Sequence, residues 1–310
     1  MKINIIGKRY IFFIFSLIII VPGLILLAIN GLPLSIDFTS GSYLEVKFES
    51  GNPPPPAEVI RLYQDTFNAK DVQVKTTEDG SLIVRSAFLR GLSEGSIITA
   101  LEQRFNDKIT LVRSDAIDPV IGKEVAYRAL AAVGIAAVMV ILYIFFAFRG
   151  LSHAFRYGIC AIIAMLHDVL ILVSLGVIGG ILFNWQVDAL FLTAVLTVIG
   201  FSVQDKIVVF DRIRENSQVY RRLSFETLVN HSIVQTLQRS INTQLMTVEF
   251  MLLALALFGG IALREFAVIL LVGLLSGTYS SIFIAASSLV VWENHEWKTW
   301  FHRGSKEAVA

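Results

Sequence analysis

Apolar residues are concentrated in six long runs, which are separated by short polar segments and by one long polar block. A bilayer core is about 30 Å thick, and a helix needs about 20 apolar residues to cross it. Each run reaches or approaches that length, so the pattern predicts six membrane-spanning helices. Their expected bounds are residues 10–29, 129–148, 157–183, 189–210, 245–261 and 266–292.

The polar block, residues 31–123, has the pattern of a small folded domain, which we call the polar domain. Short runs of alternating polarity are typical of strands, and runs with one apolar side are typical of helices. The pattern predicts a strand, a helix, two strands around a Glu78-Asp79-Gly80 turn, a helix and a strand, at residues 43–48, 57–68, 72–76, 81–88, 94–105 and 109–114. This order is that of a ferredoxin-like α+β domain.

The predicted fold class is therefore a membrane all-α bundle of six transmembrane helices, with a ferredoxin-like domain between the first and second helices. The expected divisions are an N-terminus with the first helix, the polar domain, the remaining five helices and a tail, at residues 1–30, 31–123, 124–292 and 293–310. We expect the first apolar run to be retained as a helix, because it is longer than the core of a signal peptide.

Composition supports a membrane protein and excludes several other classes. Hydrophobic residues make up 55% of the chain and charged residues 16%, against about a quarter charged in soluble domains. The net charge of +1 gives no support to nucleic-acid binding. The single cysteine, Cys160, lies in an apolar run, so neither a disulfide framework nor a cysteine metal cluster is predicted.

Basic residues in the short loops predict the orientation of the helices. The first nine residues hold three basic residues, residues 149–156 hold two, and residues 211–239 hold five arginines, whereas residues 183–188 hold none and residues 259–266 only Arg264. This bias predicts a multi-pass protein with both termini in the cytoplasm and the polar domain on the exported side.

Charged residues within the predicted spans are the candidate functional residues, because each costs a few kcal/mol in a bilayer. Asp205 in the fourth span is either a protonatable buried carboxylate or a charge at a helix end. Arg239 precedes the fifth span and is either a cation that pairs with Asp205 across adjacent helices or a marker of the cytoplasmic border. Asp168, beside His167, is either a structural anchor or a member of a proton path. Glu249 lies near the start of its span, where its side chain is expected to reach the interface.

No catalytic constellation accompanies these residues. The sequence has no glycine-rich phosphate loop, no paired histidines and no nucleophile elbow. An enzyme, a metal site and a cofactor are therefore not predicted.

Residues 200–215 have the sequence GFSVQDKIVVFDRIRE. This segment resembles the signature of the SecF family, the smaller half of the SecDF protein-export factor. Further segments match in order along nearly the whole chain, at residues 36–41, 118–124, 166–168 and 235–243. The motif at the start of the polar domain comprises Asp37, Phe38, Thr39 and Gly41.

The resemblance implies half of an RND-like transporter in the bacterial inner membrane. Its expected partners are SecD, the SecYEG channel, unfolded exported polypeptides and membrane lipid. Protons are the implied coupling ion, and the proton-path residues carry over to Asp205 and Arg239, which in the family act with an aspartate of SecD. Gln204 and Lys206 stand where the family usually has asparagine and a hydroxyl residue, and Ser40 replaces a glycine. A lysine beside Asp205 is a candidate competing cation.

Two other functions remain open on the sequence. In the first alternative, the chain only stabilises SecD and the channel. In the second, it is a stand-alone RND-type exporter of a small molecule or lipid. The first alternative predicts that neutral substitutions of Asp205 and Arg239 are tolerated, and the second predicts self-association without SecD.

Overall fold

The computed structural model describes residues 4–77, 80–149, 154–244, 250–259 and 261–296. The chain divides into two compact units. We call the unit formed by Met1–Pro33 and Ala132–Ala310 the membrane unit; the other is Leu34–Ala131 and contains most of the predicted polar domain.

The first predicted span is a helix, α1, at Arg9–Asn30, which follows a 3-10 turn at Ile6–Lys8. It ends at Gly31, whose φ of 72° lies in the left-handed region that glycine adopts without strain.

Residues 34–77 and 80–131 contain one sheet, flanked by helices. The elements are α2 (Ile36–Thr39), β1 (Gly41–Phe48), α3 (Pro56–Phe67), β2 (Gln73–Thr76), β3 (Ser81–Ser86), α4 (Glu94–Phe105) and β4 (Ile109–Ile117). The strands are antiparallel in the order β2-β3-β1-β4. From β1 onwards the elements follow the predicted β-α-β-β-α-β order; Glu78 and Asp79 of the predicted turn lie outside the described residues.

The core of this unit lies between the sheet and helices α3 and α4. Alternate residues of β1 point towards the helices, and residues spaced by four in each helix point back at the sheet, as the predicted patterns require. The most deeply buried members are Leu44, Val46, Phe48, Val59, Tyr63, Leu82, Val84, Ile97 and Leu101. Burial raises the pKa of the Tyr63 hydroxyl above its ordinary value.

The corner between α2 and β1 is a strained part of this unit. Ser35 caps α2, because its Oγ accepts a hydrogen bond of 3.0 Å from the Asp37 backbone N–H. Ser40 has φ 59° and ψ 169°, a region that is occupied almost only by glycine. Gly41 follows with φ 128°, and a Cβ on it would lie 2.6 Å from the Ser86 carbonyl oxygen.

The second half of the chain is helical. The helices are α5 (Pro119–Phe148), α6 (Ala154–Leu182), α7 (Ala189–Val219), α8 (Phe225–Gln244), α9 (Phe250–Phe258), α10 (Ile261–Tyr279) and α11 (Ala286–Glu293), and a π-helical segment at Ser280–Ala285 joins α10 to α11.

Five helical stretches in the described residues are long and apolar enough to cross a membrane. They are Ile6–Asn30, Pro119–Phe148, Phe155–Phe183, Ala189–Val219 and Leu263–Glu293. Five of the six predicted spans are therefore found. The span predicted at 245–261 overlaps α9, but residues 245–249, including Glu249, and residue 260 lie outside the described residues, so this span stays a prediction.

Two of these helices extend beyond their predicted bounds by about nine or ten residues. Helix α5 begins ten residues early, at Pro119, and α7 continues past residue 210 to Val219. The extension of α7 is polar and carries the i,i+3 ion pairs Arg212–Glu215 and Arg214–Asp211. Such pairs support a helix in water, where an apolar pattern no longer marks its course.

Helices α7 and α10 pack closely because glycines of α10 face α7. A Cβ on Gly273 would lie 2.4 Å from Val198 Cγ2, and one on Gly277 would lie 3.3 Å from Ser202 Cβ. Small residues let membrane helices approach closely. The approach brings the π-helical segment beside the polar residues of α7.

Polar groups join the start of α1 to α8 and to the segment after α11, in a cluster that we call the terminal clasp: Arg9, Tyr10, Glu226, Asn294 and Glu296. Arg9 Nη2 lies 2.5 Å from Glu296 Oε1 and 3.1 Å from Glu226 Oε1. The Tyr10 hydroxyl donates to Glu296 Oε2 at 2.6 Å, and Asn294 Nδ2 donates to both glutamates. Burial opposes the charged form of Glu296, but hydrogen bonds from Tyr10, Arg9 and Asn294 outweigh it and hold the pKa of this carboxyl below its ordinary value.

We predict that Ser40→Gly stabilises the protein. Relief of the backbone strain is worth about 1–3 kcal/mol, and the extra chain entropy of glycine offsets about 0.5–1 kcal/mol of it. The thermal unfolding midpoint of the purified chain in detergent should rise by a few degrees. Ser50→Gly, at a position without a positive φ, is the control and should not raise it. A midpoint for Ser40→Gly at or below that of the parent would contradict the strain.

We also predict an acid-sensitive contribution of the terminal clasp. The pKa of Glu296 is lower in the folded protein than its ordinary value of 4.5. Its contribution is therefore fully present above that value and is lost as the pH falls through the folded pKa. The unfolding midpoint of Glu296→Gln should lie below that of the parent at about pH 6 and approach it near pH 3.

The control for this experiment is Glu215→Gln, which removes only an exposed ion pair with Arg212. It should leave the pH dependence of the unfolding midpoint close to that of the parent. A constant difference between Glu296→Gln and the parent across this pH range would contradict the prediction.

Candidate functional site

The candidate site is built on α7, which carries two charged residues in succession. Asp205 is 8% exposed, and Lys206 is fully buried. Consecutive residues of an α-helix point about 100° apart, so the two side chains face different neighbours and belong to two different clusters.

Lys206 points towards α6, where it forms an ion pair with Asp168. Its Nζ lies 2.8 Å from Asp168 Oδ2. Ser202 and Ser280 donate to the same oxygen at 2.5 and 2.7 Å, and Ser276 donates to Oδ1 at 2.9 Å. We call these five residues the Asp168 cluster. It joins α6, α7, α10 and the π-helical segment around one buried carboxylate.

The cluster continues to α1 through His167. Its Nδ1 lies 3.1 Å from Asp168 Oδ1, and its Nε2 lies 2.9 Å from Ser16 Oγ. The ring stacks on Tyr279 with 6.0 Å between centroids. These groups border a largely apolar cavity of about 230 Å³ that Phe15 also lines. His167 therefore ties α1 to the buried charges.

Asp205 is held by hydroxyl groups from two other elements. Ser240 of α8 donates to Oδ1 at 2.7 Å, and Ser281 of the π-helical segment donates to Oδ2. Across the described ranges, no ion pair joins Asp205 to a lysine or an arginine. We call Asp205, Ser240 and Ser281 the Asp205 cluster; it differs from the Asp168 cluster in lacking a directly bonded cation.

Arg239 shares a cavity with Asp205 but forms no ion pair with it within the described residues. The cavity has a volume of about 80 Å³, and Phe201, Gln204 and Ser240 also line it. Such a volume holds more than one water molecule. Arg239 is exposed and also lines a wider groove of about 490 Å³ along α7 and α8. The structure thus brings the two predicted residues to one cavity without the expected ion pair, because Ser240 rather than Arg239 projects from α8 against α7.

Lys206 was a candidate competing cation for Asp205, and its partner in the structure is Asp168. The pairing of Asp168 with Lys206 was not predicted from the sequence. The signal was present, because opposite charges in two consecutive spans usually pair with each other or face a polar path. The sequence did not show which neighbouring helix each charged side chain faces, because both helices are apolar on most sides.

The two clusters differ in what they can do chemically. In the Asp168 cluster the lysine compensates the carboxylate, and Nζ also contacts the Ser202 hydroxyl and carbonyl. Removing one partner of such a pair would leave an uncompensated buried charge. Asp205, by contrast, is bonded to neutral hydroxyls and borders a cavity.

The motif residues of the polar domain lie in the other unit and have structural surroundings. Asp37, Phe38 and Thr39 belong to α2, and the Thr39 hydroxyl donates to the Ser35 carbonyl at 3.0 Å. Gly41 begins β1, where only a residue without Cβ fits beside Ser86. In the described part of the chain, no group of three or more histidine, cysteine or acidic side chains is placed to hold a metal ion.

Comparison with protein-family models gives two matches. Residues 97–295 match the family described as "Protein export membrane protein SecD/SecF, C-terminal". Residues 25–51 match the "SecD/SecF GG Motif", which covers α2 and the Ser40–Gly41 corner.

Individual relatives agree with the family models. The chain is 66% identical to the protein translocase subunit SecF of Anaerolinea thermophila over 99% of this chain and 100% of that protein. It is 36% identical to the protein translocase subunit SecDF of Bacillus subtilis over 94% of this chain and 38% of that one.

A solved structure shares the fold. The structure of SecDF from Thermus thermophilus, a translocon-associated membrane protein, matches with a TM-score of 0.77 and 30% identity, over 95% of this chain and 39% of that chain. This chain thus corresponds to a little over a third of the length of the SecDF protein. With both family models and a relative of nearly equal length in agreement, the chain belongs to the SecF family of protein translocase subunits.

Proposed function

We propose that this chain, together with a SecD partner, uses proton flow to assist protein export through the SecYEG channel. The observation that carries the proposal is Asp205, a buried carboxylate that is bonded only to hydroxyls in the described structure and that shares a cavity with Arg239. Protonation of Asp205 removes a negative charge from this site, so the helices around it rearrange. The movement changes how the polar domain engages an emerging unfolded polypeptide.

The energy available is sufficient for such a coupling. One elementary charge that crosses a potential of 100 mV releases about 2.3 kcal/mol. A few protons therefore match the energy of a domain movement. Arg239, on the exposed side of α8, supplies a positive charge at the edge of the cavity that Asp205 borders.

The partnership with SecD rests on two observations. The SecDF proteins of the comparisons contain this chain's counterpart in just over a third of their length, so the remaining length supplies the other half. Helix α5 also has few buried residues, with exposed apolar side chains along its length. This surface suits membrane lipid and a neighbouring subunit.

The proposed arrangement has both termini in the cytoplasm of a bacterial cell and the polar domain, residues 31–123, on the exported side of the inner membrane. The clustering of basic residues supports this orientation. The strand order β2-β3-β1-β4 and the β-α-β-β-α-β connection support a ferredoxin-like fold for the exported unit. The sixth span is proposed at residues 245–261.

A scaffold role is the second candidate, and the Asp168 cluster favours it. The Asp168–Lys206 pair is fully buried and joined to three serines, as expected of an anchor between helices. We therefore assign Asp168 to anchoring and Asp205 to proton coupling.

We predict that Asp205→Asn abolishes the part of export that depends on the proton gradient. Export of a precursor protein and proton uptake would be measured in membrane vesicles that contain SecD and SecYEG, with and without a gradient. The variant should export at the rate seen without a gradient, because asparagine cannot exchange a proton. The matched control is Asp211→Asn, which removes an exposed ion pair on the same helix and should retain export.

Two outcomes would contradict this assignment. Undiminished gradient-driven export by Asp205→Asn would remove the proton-coupling role and leave the scaffold. Equal losses in Asp205→Asn and Asp211→Asn would show that export responds to any loss of charge on α7.

For the anchor, we predict that Lys206→Met destabilises the protein by about 3–5 kcal/mol, because it leaves Asp168 charged and unpaired. The double variant Asp168→Asn with Lys206→Met should recover most of this loss. Thermal unfolding in detergent measures both. Additive losses in the double variant would show that the two side chains do not stabilise each other.

A further inference from the structure

The π-helical segment begins with two serines that bind different carboxylates. Ser280 donates to Asp168 at 2.7 Å, and Ser281 donates to Asp205. Both serines are fully buried. Two consecutive serines thus connect the Asp168 cluster to the Asp205 cluster. The two clusters are also connected through α7, where Asp205 and Lys206 are adjacent.

Each of these hydroxyls has a second acceptor in its own helix. Ser281 Oγ lies 2.9 Å from the Thr278 carbonyl oxygen, and Ser280 Oγ lies 3.1 Å from the Gly277 carbonyl oxygen. A serine hydroxyl carries a single proton. It can therefore donate fully to the carboxylate or to the carbonyl, but not to both.

We propose that Ser281 is a positioning residue for Asp205, whose hydroxyl donates to the charged carboxylate and turns to the Thr278 carbonyl when the carboxyl takes up a proton. This inference rests on the proposed role of Asp205 as the proton-carrying group. In it, Ser280 remains bound to the Asp168–Lys206 pair and holds the first residue of the π-helical segment in place. The change at Ser281 is thereby passed to the helix that packs against α7.

The difference between the two carboxylates explains why only one serine switches. Asp168 is compensated by Lys206, so its charge and its bond to Ser280 persist. Among the described residues, the charged groups near Asp205 are Arg239 on α8, which lines the same cavity, and Lys206 on α7, which is paired with Asp168. Among the described contacts, Asp205 depends on the hydroxyls of Ser240 and Ser281 alone.

The backbone at this point is suited to such a change. π-Helical segments are rare; they occur mostly as single turns within α-helices and are frequent at functional sites. A serine that bonds to a carbonyl in the preceding turn bends its helix. The hydroxyl of Ser281 therefore has two positions with different consequences for the course of the helix from α10 to α11.

The test measures the titration of Asp205 directly. The infrared carbonyl band of its protonated form is recorded against pH in the purified protein, and the band is identified by its loss in Asp205→Asn. Removal of a donor to the charged form favours the neutral form. In Ser281→Ala the midpoint of this band should move to higher pH by about one pH unit.

Two further variants separate the hydrogen bond from packing. Ser281→Cys keeps the size of the side chain but is a weak donor, so its midpoint should move in the same direction. Ser287→Ala is the matched control, because Ser287 is also fully buried in α11 and its hydroxyl has no hydrogen-bond partner among the described residues. It should keep the midpoint of the parent.

Gradient-driven export in vesicles completes the test. Ser281→Ala should reduce it several-fold, and Ser287→Ala should not. A Ser281→Ala midpoint equal to that of the parent, or a shift in Ser281→Ala that is absent in Ser281→Cys, would overturn the inference while leaving the role of Asp205 intact. Undiminished export by Asp205→Asn would instead overturn the proposed function, whatever the infrared result.

Discussion

A charge inside a membrane must be compensated where it lies, and this requirement organises the helices of the membrane unit. Asp168 is satisfied by a lysine and three serines that come from α7, α10 and the π-helical segment. These donors reach one carboxylate only because glycines in α10 let it approach α7 closely. The spacing between α7 and α10 thus matches the length of the hydrogen bonds that reach Asp168.

The same helices hold a second carboxylate under different conditions. Asp205 lies next to Lys206 in the sequence, yet the helix turns the lysine away from it and towards Asp168. One carboxylate is consequently paired with a lysine, and the other is bonded, among the described residues, to hydroxyls beside a small cavity. Under the proposed function, this division separates an anchoring group, Asp168, from the proton-carrying group, Asp205.

The sequence predicted the parts of the structure that leave a periodic signal. Apolar runs located five of the spans, and the alternation in residues 43–114 predicted the order of strands and helices. The clusters were not predictable in the same way, because helices that are apolar on all sides do not reveal which face meets which neighbour. The Asp168–Lys206 pair and the roles of Ser280 and Ser281 were therefore not predicted. The π-helical segment was not predicted either, because its wider turn leaves no signal in the amino-acid composition. Ser40 is the opposite case, since its departure from the family's glycine coincides with a strained backbone.

The terminal clasp has a consequence for how the protein is made. Arg9 and Glu296 are separated by 287 positions in the chain. Their contact can therefore form only after α11 and the residues that follow it have been synthesised. A chain that stops before α11 has Arg9 and Tyr10 without this acceptor and retains Glu226 as the nearer acidic group. Closure of the clasp therefore follows the synthesis of Glu296, and it joins α1 to α8 and to the segment after α11.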